Sequence, residues 1–217
     1  MDLNLIQKFS VWILPALFAI TVHEAAHGYA ARHFGDPTAA SLGRLSLNPL
    51  RHIDPIGTVA VPIAMFFVMG FIFGWAKPVP VDPRNMRHPR GDMAWVALAG
   101  PASNLLMAVF WALMMGLGQW LAGQGVSEVA LPLVLMGQAG VTINLLLMLF
   151  NLLPIPPLDG GRVLVSALPP ALGYQFARLE PFGMLILVAL LATGVLGNVL
   201  GPMLAAMNEF IVGFFVP

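Results

Sequence analysis

The sequence predicts an all-α polytopic membrane protein with about four to six transmembrane helices. A re-entrant or membrane-associated β element is expected between its first two core helices. Three observations lead there. Hydrophobic residues make up 59% of the 217-residue chain and charged residues 9%. An ordinary soluble domain carries about 25% charge, so this chain cannot clothe a water-facing surface and lipid must be its solvent. Long apolar runs recur along it, separated by loops rich in Pro, Gly and basic residues. Formal net charge is zero and there is no cysteine. No bulk field therefore favours nucleic acid as a partner, and any metal must be held by His and carboxylate rather than thiolate.

The N-terminus lacks the pattern of a removable signal. Asp2 and Lys8 are its first charged residues, no basic cluster precedes the apolar run, and no A-x-A-like site occurs before His23. A helix is expected over 5–34, stopped by Gly35-Asp36-Pro37. Its apolar part ends near Val22. About 18 residues at 1.5 Å each rise about 27 Å, nearly a hydrocarbon thickness, which puts His23 near the far edge of the apolar layer. Residues 36–55 read as polar loop with room for a short strand at 41–47. A second apolar run, 56–75, contains Pro62, Gly70 and Gly74. Residues 76–92 are Pro-rich and basic, with an extended stretch at 79–81. Strong apolar helices follow at 93–121 and 131–153, the second ending in Pro154-Ile155-Pro156-Pro157. A last apolar block, 181–217, is divided by Gly194, Gly197, Gly201 and Pro202 into one span plus a short interfacial helix, or two short spans. There is no repeat and no second domain. One membrane unit covers 1–217, with a core at 1–165 and additional C-terminal membrane helices at 175–217.

His23-Glu24-Ala25-Ala26-His27 is an H-E-x-x-H motif. Residues i and i+4 of a helix share a face, so both imidazoles can grip one ion. Glu24 is rotated about 100° from His23, beside the open coordination position, where it can take a proton from water. Ala25 and Ala26 are small and let another chain segment approach. Zinc suits the donor set, because it accepts His and carboxylate and lowers the pKa of a coordinated water to about 7. The pentapeptide also occurs in proteins without a metal. Its setting argues for one: an ionisable residue in an apolar helix costs about 2.5–3.5 kcal/mol, and His23, Glu24 and His27 lie together. A dication is the partner that would offset them.

Two histidines leave a third ligand to be found, a His, Asp or Glu at membrane depth. Asp159 suits, in Asn151-Leu152-Leu153-Pro154-Ile155-Pro156-Pro157-Leu158-Asp159-Gly160-Gly161. The prolines break the helix, and irregular backbone is tolerated in lipid only where it is buried or lines a cavity. Taken alone, Asp159 is more simply a cap or turn residue ahead of the two glycines.

The motif with Gly28, then Gly100-Pro101-Ala102-Ser103-Asn104, then 151–161 resembles the site-2 protease family of intramembrane zinc metalloproteases, with the pieces in that family's order. The resemblance implies His23, His27 and Asp159 as ligands of one zinc ion per chain and Glu24 as general base. It implies that Asn151 steadies the substrate or the oxyanion, and that the substrates are membrane-anchored proteins with a transmembrane helix. No PDZ-like or CBS-like segment is present. The chain is similar to a minimal member, of the kind carrying Gly35-Asp36-Pro37-Thr38 and Gly74-Trp75-Ala76-Lys77-Pro78. A metal transporter or a catalytically inactive membrane-protein-binding homologue are the alternatives. A transporter needs ligands spread across the bilayer, whereas these gather at one level.

Asn104 and Asn144 lie on neighbouring helices. If those helices are antiparallel, both asparagines stand about 15 Å from the same membrane face. Interhelical bonding worth about 0.6 kcal/mol is their simplest role, and contact with the site is the other. His33, His52 and His88 sit in or beside polar, basic loops, where a solvated His is the ordinary case. The 48–54 stretch is the one that could also touch the ligands. An extended edge at 79–81 would hold an unwound substrate by strand addition, although Pro78 and Pro80 supply no donors.

Topology follows from bringing Asp159 to His23 and His27. Both ligand groups are placed at the C-terminal ends of their helices, so those helices must be parallel, with one crossing between them. The 56–75 run should then enter and return rather than span, with Pro62 and Gly70 helping it bend. Arg32, Arg44, Arg51, Lys77, Arg84, Arg87, Arg90, Arg162 and Arg178 then share a face opposite Lys8. Basic residues mark the cytoplasmic side. The expected location is a bacterial or archaeal cell membrane, with the site open to the cytoplasm and the N-terminus outside.

Overall fold

The computed structural model describes residues 5–69 and 74–216, and among these no strand forms. Helix α1 (Leu5–His33) is 29 residues long and spans about 44 Å. Gly35 ends it in the left-handed region, with φ 107°. Asp36 N–H then donates to Ala31 O at 2.9 Å and Gly35 N–H to Arg32 O at 3.1 Å, the Schellman closure that a glycine at this place permits.

The stretch to α4 is built from short turns rather than β structure. After α2 (Thr38–Ser41) come a 3₁₀ turn at Pro49–His52, a wide π-type turn at Pro55–Ala60, helix α3 (Val61–Met69) and a 3₁₀ turn at Pro83–Asn85. The three turns share one device. Asn48, Asp54 and Asp82 each precede a proline, and each side chain accepts the N–H two residues on, at 3.0, 2.9 and 3.0 Å. The asparagine or aspartate caps the turn and the proline fixes the next φ. This chemistry overrides the short strand expected at 41–47 and the β element expected before α4. At 79–81 no strand forms: Val79 N–H goes to the Glu24 carboxylate at 2.8 Å and Pro80 has no N–H to give. The two ends of the 56–75 run meet: Trp75 N–H donates to Gly57 O at 3.0 Å and Lys77 N–H to His52 O at 2.8 Å. The bend assigned to Gly70 lies outside the described residues.

Helices α4 (Pro89–Gly123) and α5 (Ser127–Asn151) form the centre. Asp92 caps α4, its carboxylate accepting His88 N–H at 2.7 Å, and Gly125, with φ 83°, turns the chain into α5. They are antiparallel: Met115 meets Gly137, Trp111 meets Gly140, and Asn104 bonds Asn144. A Cβ on Gly140 would collide with the Trp111 ring, so the close approach depends on glycine. Helix α1 also runs against α4, because Ala19 and His23 meet Asn104 whereas His27 meets Val96. Two antiparallel relations make α1 and α5 parallel, the arrangement the ligand positions demand.

Beyond a proline loop follow α6 (Asp159–Ala167), α7 (Pro170–Ala177), α8 (Glu180–Ala192) and α9 (Val195–Phe215). Leu200 and Ile211 of α9 join Ala108, Trp111, Val141 and Leu145 in the main core. Among the described residues α4, α5 and α9 are long and apolar enough to cross a membrane, and the α7–α8 pair, bent by 62°, would be a fourth if counted as one broken span. The four to six spans expected are not confirmed: three helices qualify, and at most four. The 181–217 block thus holds one full-length helix, α9, and a shorter one, α8. Large apolar side chains such as Leu106, Phe110, Trp120, Phe210 and Phe214 remain exposed on these helices, as lipid-facing residues would be.

Gly140→Ala should lower stability by about 1–3 kcal/mol through overpacking against Trp111. Gly197→Ala, whose Cβ would meet nothing within 4 Å, should cost nothing. Thermal unfolding of the two variants in the same detergent checks this.

Candidate metal centre

One turn apart on α1, His23 and His27 present both imidazoles to the same spot, where the first residue of α6 also arrives. His23 Nε2 and His27 Nε2 are 3.1 Å apart, and Asp159 Oδ2 lies 3.2 Å from the first and 3.3 Å from the second. All three residues are buried.

The other ring nitrogens fix the tautomers. Val96 O can only accept, so His27 Nδ1 donates to it at 2.7 Å. Asn104 gives its amide N–H groups to Ala19 O at 3.2 Å and Asn144 Oδ1 at 3.0 Å. Its Oδ1 is left to accept from His23 Nδ1 at 2.6 Å. Asn144 is anchored in turn by donating to Gly140 O at 2.9 Å. Both Nε2 atoms therefore carry lone pairs, and they face each other and a carboxylate oxygen that has no hydrogen-bond donor. Three facing acceptors without a proton suit a cation. Ligands about 2.0–2.1 Å from a tetrahedral zinc stand about 3.4 Å apart, close to the separations found. Gly100 lets α4 come this near, since a Cβ there would collide with both imidazoles.

Asp159 reaches the histidines because α5 stops at Asn151 and the chain turns through 152–158 before α6 begins. It opens a new helix rather than closing α5, contrary to the C-terminal position expected. A Cβ on Gly160 would collide with Leu152 O, so the glycine permits α6 to tuck against its own approach loop.

Glu24 lines the same cavity as His23, His27 and Asp159 but does not belong to their group of ligand atoms. Its Oε2 accepts Val79 N–H at 2.8 Å, so the donor that a substrate strand would have used is already engaged. A cavity of about 120 Å³ is lined by His23, Glu24, His27, Asn151, Asp159 and Arg162, with Pro78 and Val79 on one side. A larger chamber of about 380 Å³ shares His23, Glu24 and Asn151 with it and is walled mainly by apolar residues, Leu17, Trp75, Phe150 and Leu187 among them. Asn151 returns one amide N–H to Leu147 O at 3.0 Å.

Asp36, in the turn after α1, ties this wall down. It accepts Asp82 N–H at 2.7 Å, Asn85 Nδ2 at 3.0 Å and Thr38 N–H at 3.0 Å, and the Thr38 hydroxyl as well. Burial pushes its carboxyl up, but these hydrogen bonds outweigh burial and hold the pKa below the ordinary value.

His33 and His88 are exposed, as expected, and are not ligands. His52 differs from the solvated residue expected. It is buried, donates from Nε2 to Ser46 O at 2.9 Å and borders the larger chamber, because the joined ends of the 56–75 run fold it inward. Asn104 and Asn144 bond to each other, and Asn104 alone reaches the site, accepting from His23. Sequence reasoning missed Val96, whose contribution is a carbonyl, and Val79, whose contribution is an N–H. It counted Arg162 only as a topological charge.

The chain is similar to known proteins. The chain is 36% identical over 203 residues to "Putative zinc metalloprotease YwhC" of Bacillus subtilis, covering 94% of this chain and 90% of that protein. It is 32% identical over 197 residues to "Putative zinc metalloprotease Rip2" of Mycolicibacterium smegmatis, covering 90% and 72%. Identity to "Putative zinc metalloprotease Rip3" of Mycobacterium tuberculosis is 38% over 221 residues, covering 94% of this chain and 45% of that protein. No protein-family model and no solved structure matches the chain. The names of these relatives and the His23–His27–Asp159 group together give zinc as the cofactor.

Metal analysis of purified protein should find close to one zinc per chain. His23→Ala, His27→Ala and Asp159→Ala should each reduce it sharply, and Asn104→Ala should weaken affinity about 10–100-fold, as loss of a supporting hydrogen bond does. Full occupancy in Asp159→Ala would remove that residue from the ligand set.

Proposed function

The chain belongs to the site-2 protease family of zinc metalloproteases, and from that premise we propose that it is an intramembrane endopeptidase. Its substrates would be membrane-anchored proteins, cut within or near a transmembrane helix. The observation that carries this is the position of Glu24. It borders the cavity of the three candidate ligands without being one of them, which is where a base for hydrolysis belongs and where a carrier of ions needs none.

His23, His27 and Asp159 would hold the zinc, which when bound supplies Lewis acidity to the water and the scissile carbonyl. Glu24 takes the proton of the attacking water and later delivers it to the leaving amine. Val79 N–H holds one carboxylate oxygen of Glu24, leaving the other to do this. Asn104 and Val96 O keep the imidazoles aimed. Asn151, at the boundary of both cavities, steadies the substrate backbone. A helical substrate hides its carbonyls in internal bonds and must unwind first. The apolar chamber beside the base suits the side chains of such an unwound segment.

A transporter would need further ligand groups along a path. Among the described residues only His23, His27 and Asp159 form a group able to hold a metal. The intact Glu24 argues against an inactive homologue. Glu24→Gln should keep zinc and substrate binding and abolish cleavage of a membrane-anchored peptide. Retained zinc flux into vesicles, with no cleavage by the parent, would favour the transporter.

The protein is a membrane protein, and the orientation is part of the proposal. The joined ends of the 56–75 run support a segment that enters the bilayer and returns, and the basic loops then lie on the cytoplasmic side with the site. The chain has no cysteine, so single cysteines at Ser46 and Asn85 report cleanly. Both should resist an impermeant thiol reagent in intact cells and react once the membrane is opened. Labelling of one alone would mean that the segment crosses.

A further inference from the structure

Arg162 lies on α6, three residues beyond Asp159, and lines the same cavity as Glu24, His23, His27 and Asn151. Among the described residues it makes no salt bridge. Four other arginines are occupied: Arg44 donates to Lys77 O, Arg51 to Gly43 O, Arg84 to Asp82 and Arg90 to Ser166 O. Arg32, Arg87 and Arg178, which make no salt bridge among the described residues either, line neither of the two cavities. A half-buried guanidinium without a salt-bridge partner, in the wall of the cavity that also holds Glu24 and the candidate ligands, is placed to receive negative charge.

The charges say which. A dication held by His23, His27 and Asp159 is balanced by the carboxylates of Asp159 and Glu24, so Arg162 leaves a surplus of one positive charge. Hydrolysis moves negative charge within this cavity. Water oxygen attacks the scissile carbon, the C=O π pair moves onto the carbonyl oxygen, and the water's proton goes to Glu24. The C–N bond then breaks, its electron pair leaves with nitrogen, and nitrogen takes the proton back from Glu24. The products are an amine and a carboxylic acid that ionises. Charge thus passes from Glu24 to a substrate oxygen. Asn151 is the other side-chain donor here, but it is neutral and one of its N–H groups is drawn back to Leu147 O. Charge-assisted hydrogen bonds are roughly twice as strong as neutral ones.

We infer that Arg162 hydrogen-bonds the scissile carbonyl oxygen as negative charge builds on it, and then holds the new carboxylate. The assignment rests on the peptidase proposal above. It is tested with Arg162→Gln and Arg162→Lys in the full chain. Losing one such donor lowers kcat by about 10²–10³-fold. Arg162→Gln should show that loss with KM little changed and zinc content at the parent level. Arg162→Lys, which keeps the charge but not the fork, should fall between. A binding readout separates this role from a structural one. An apolar phosphinic peptide copies the tetrahedral, anionic group and should bind Arg162→Gln more weakly by the same factor. The matching amide, measured in the Glu24→Gln background, should bind equally with or without Arg162. Equal phosphinate binding and equal kcat in Arg162→Gln, beside an active parent, would overturn the assignment of Arg162 alone. A parent that cleaves nothing and binds phosphinate no better than amide would overturn the peptidase proposal and this assignment with it.

Discussion

Three lone pairs pointing at one another inside an apolar shell are the constraint on which the rest of the structure turns. His23 Nε2, His27 Nε2 and Asp159 Oδ2 lie within 3.3 Å of each other, and in the neutral tautomers that Asn104 and Val96 O select, both imidazole nitrogens are acceptors. At low dielectric such an arrangement is costly without a cation. The fold must therefore deliver two distant pieces of chain to one point and supply the ion that makes the meeting favourable. Zinc binding and folding are coupled through this cluster. The parallel course of α1 and α5 and the proline loop that redirects the chain after Asn151 are what make the meeting geometrically available.

Helix α4 is the template for the histidines. Val96, Gly100 and Asn104 fall at four-residue spacing and so form one stripe facing α1. The first offers a carbonyl to His27, the second offers absence of a side chain, and the third offers an amide oxygen to His23. None of the three works alone. A side chain at Gly100 would push the helices apart and lengthen both hydrogen bonds. Without Asn104, His23 Nδ1 would be a buried donor with no acceptor, free to take the wrong tautomer. The second layer continues to Asn144 and Gly140 on α5, so the imidazole orientation is fixed by packing across three helices rather than by local rotamer preference.

The grouping of His23, His27 and Asp159 was legible in the sequence because the spacing carries geometry. His23 and His27 share a face in any α-helix, and a carboxylate after a proline-broken apolar run has few explanations at membrane depth. The long helices were legible too, since 93–121 and 131–153 have no other way to satisfy their backbone in lipid. The failures share a cause. The strand at 41–47 and the edge at 79–81 were inferred from local extension, but strands are defined by partners, and here the N–H groups of Ser41, Leu42, Gly43 and Arg44 close onto carbonyls of residues 37–40 while Glu24 takes that of Val79. His52 was placed in solvent by its neighbours, and the pairing of Lys77 with its carbonyl, distant in sequence, buries it. Val96 and Val79 contribute main-chain atoms, which residue identity cannot reveal.

The division of the interior into two unequal spaces bears on how water and substrate share a membrane site. The larger, about 380 Å³, is mostly apolar, and apolar cavities tend to stay dry because water there finds too few partners. The smaller, about 120 Å³, is lined by His23, Glu24, His27, Asn151, Asp159 and Arg162. At about 30 Å³ per molecule of liquid water, it has room and partners for a few waters. On the proposed reading, substrate side chains and reacting water would have separate compartments, joined where His23, Glu24 and Asn151 border both. That boundary is the one place where an unwound peptide in the apolar chamber could meet water from the polar one. Val79 forms part of the polar wall and grips Glu24 from there. On the proposed reading, Val79 N–H would thus hold one oxygen of the base within the polar wall.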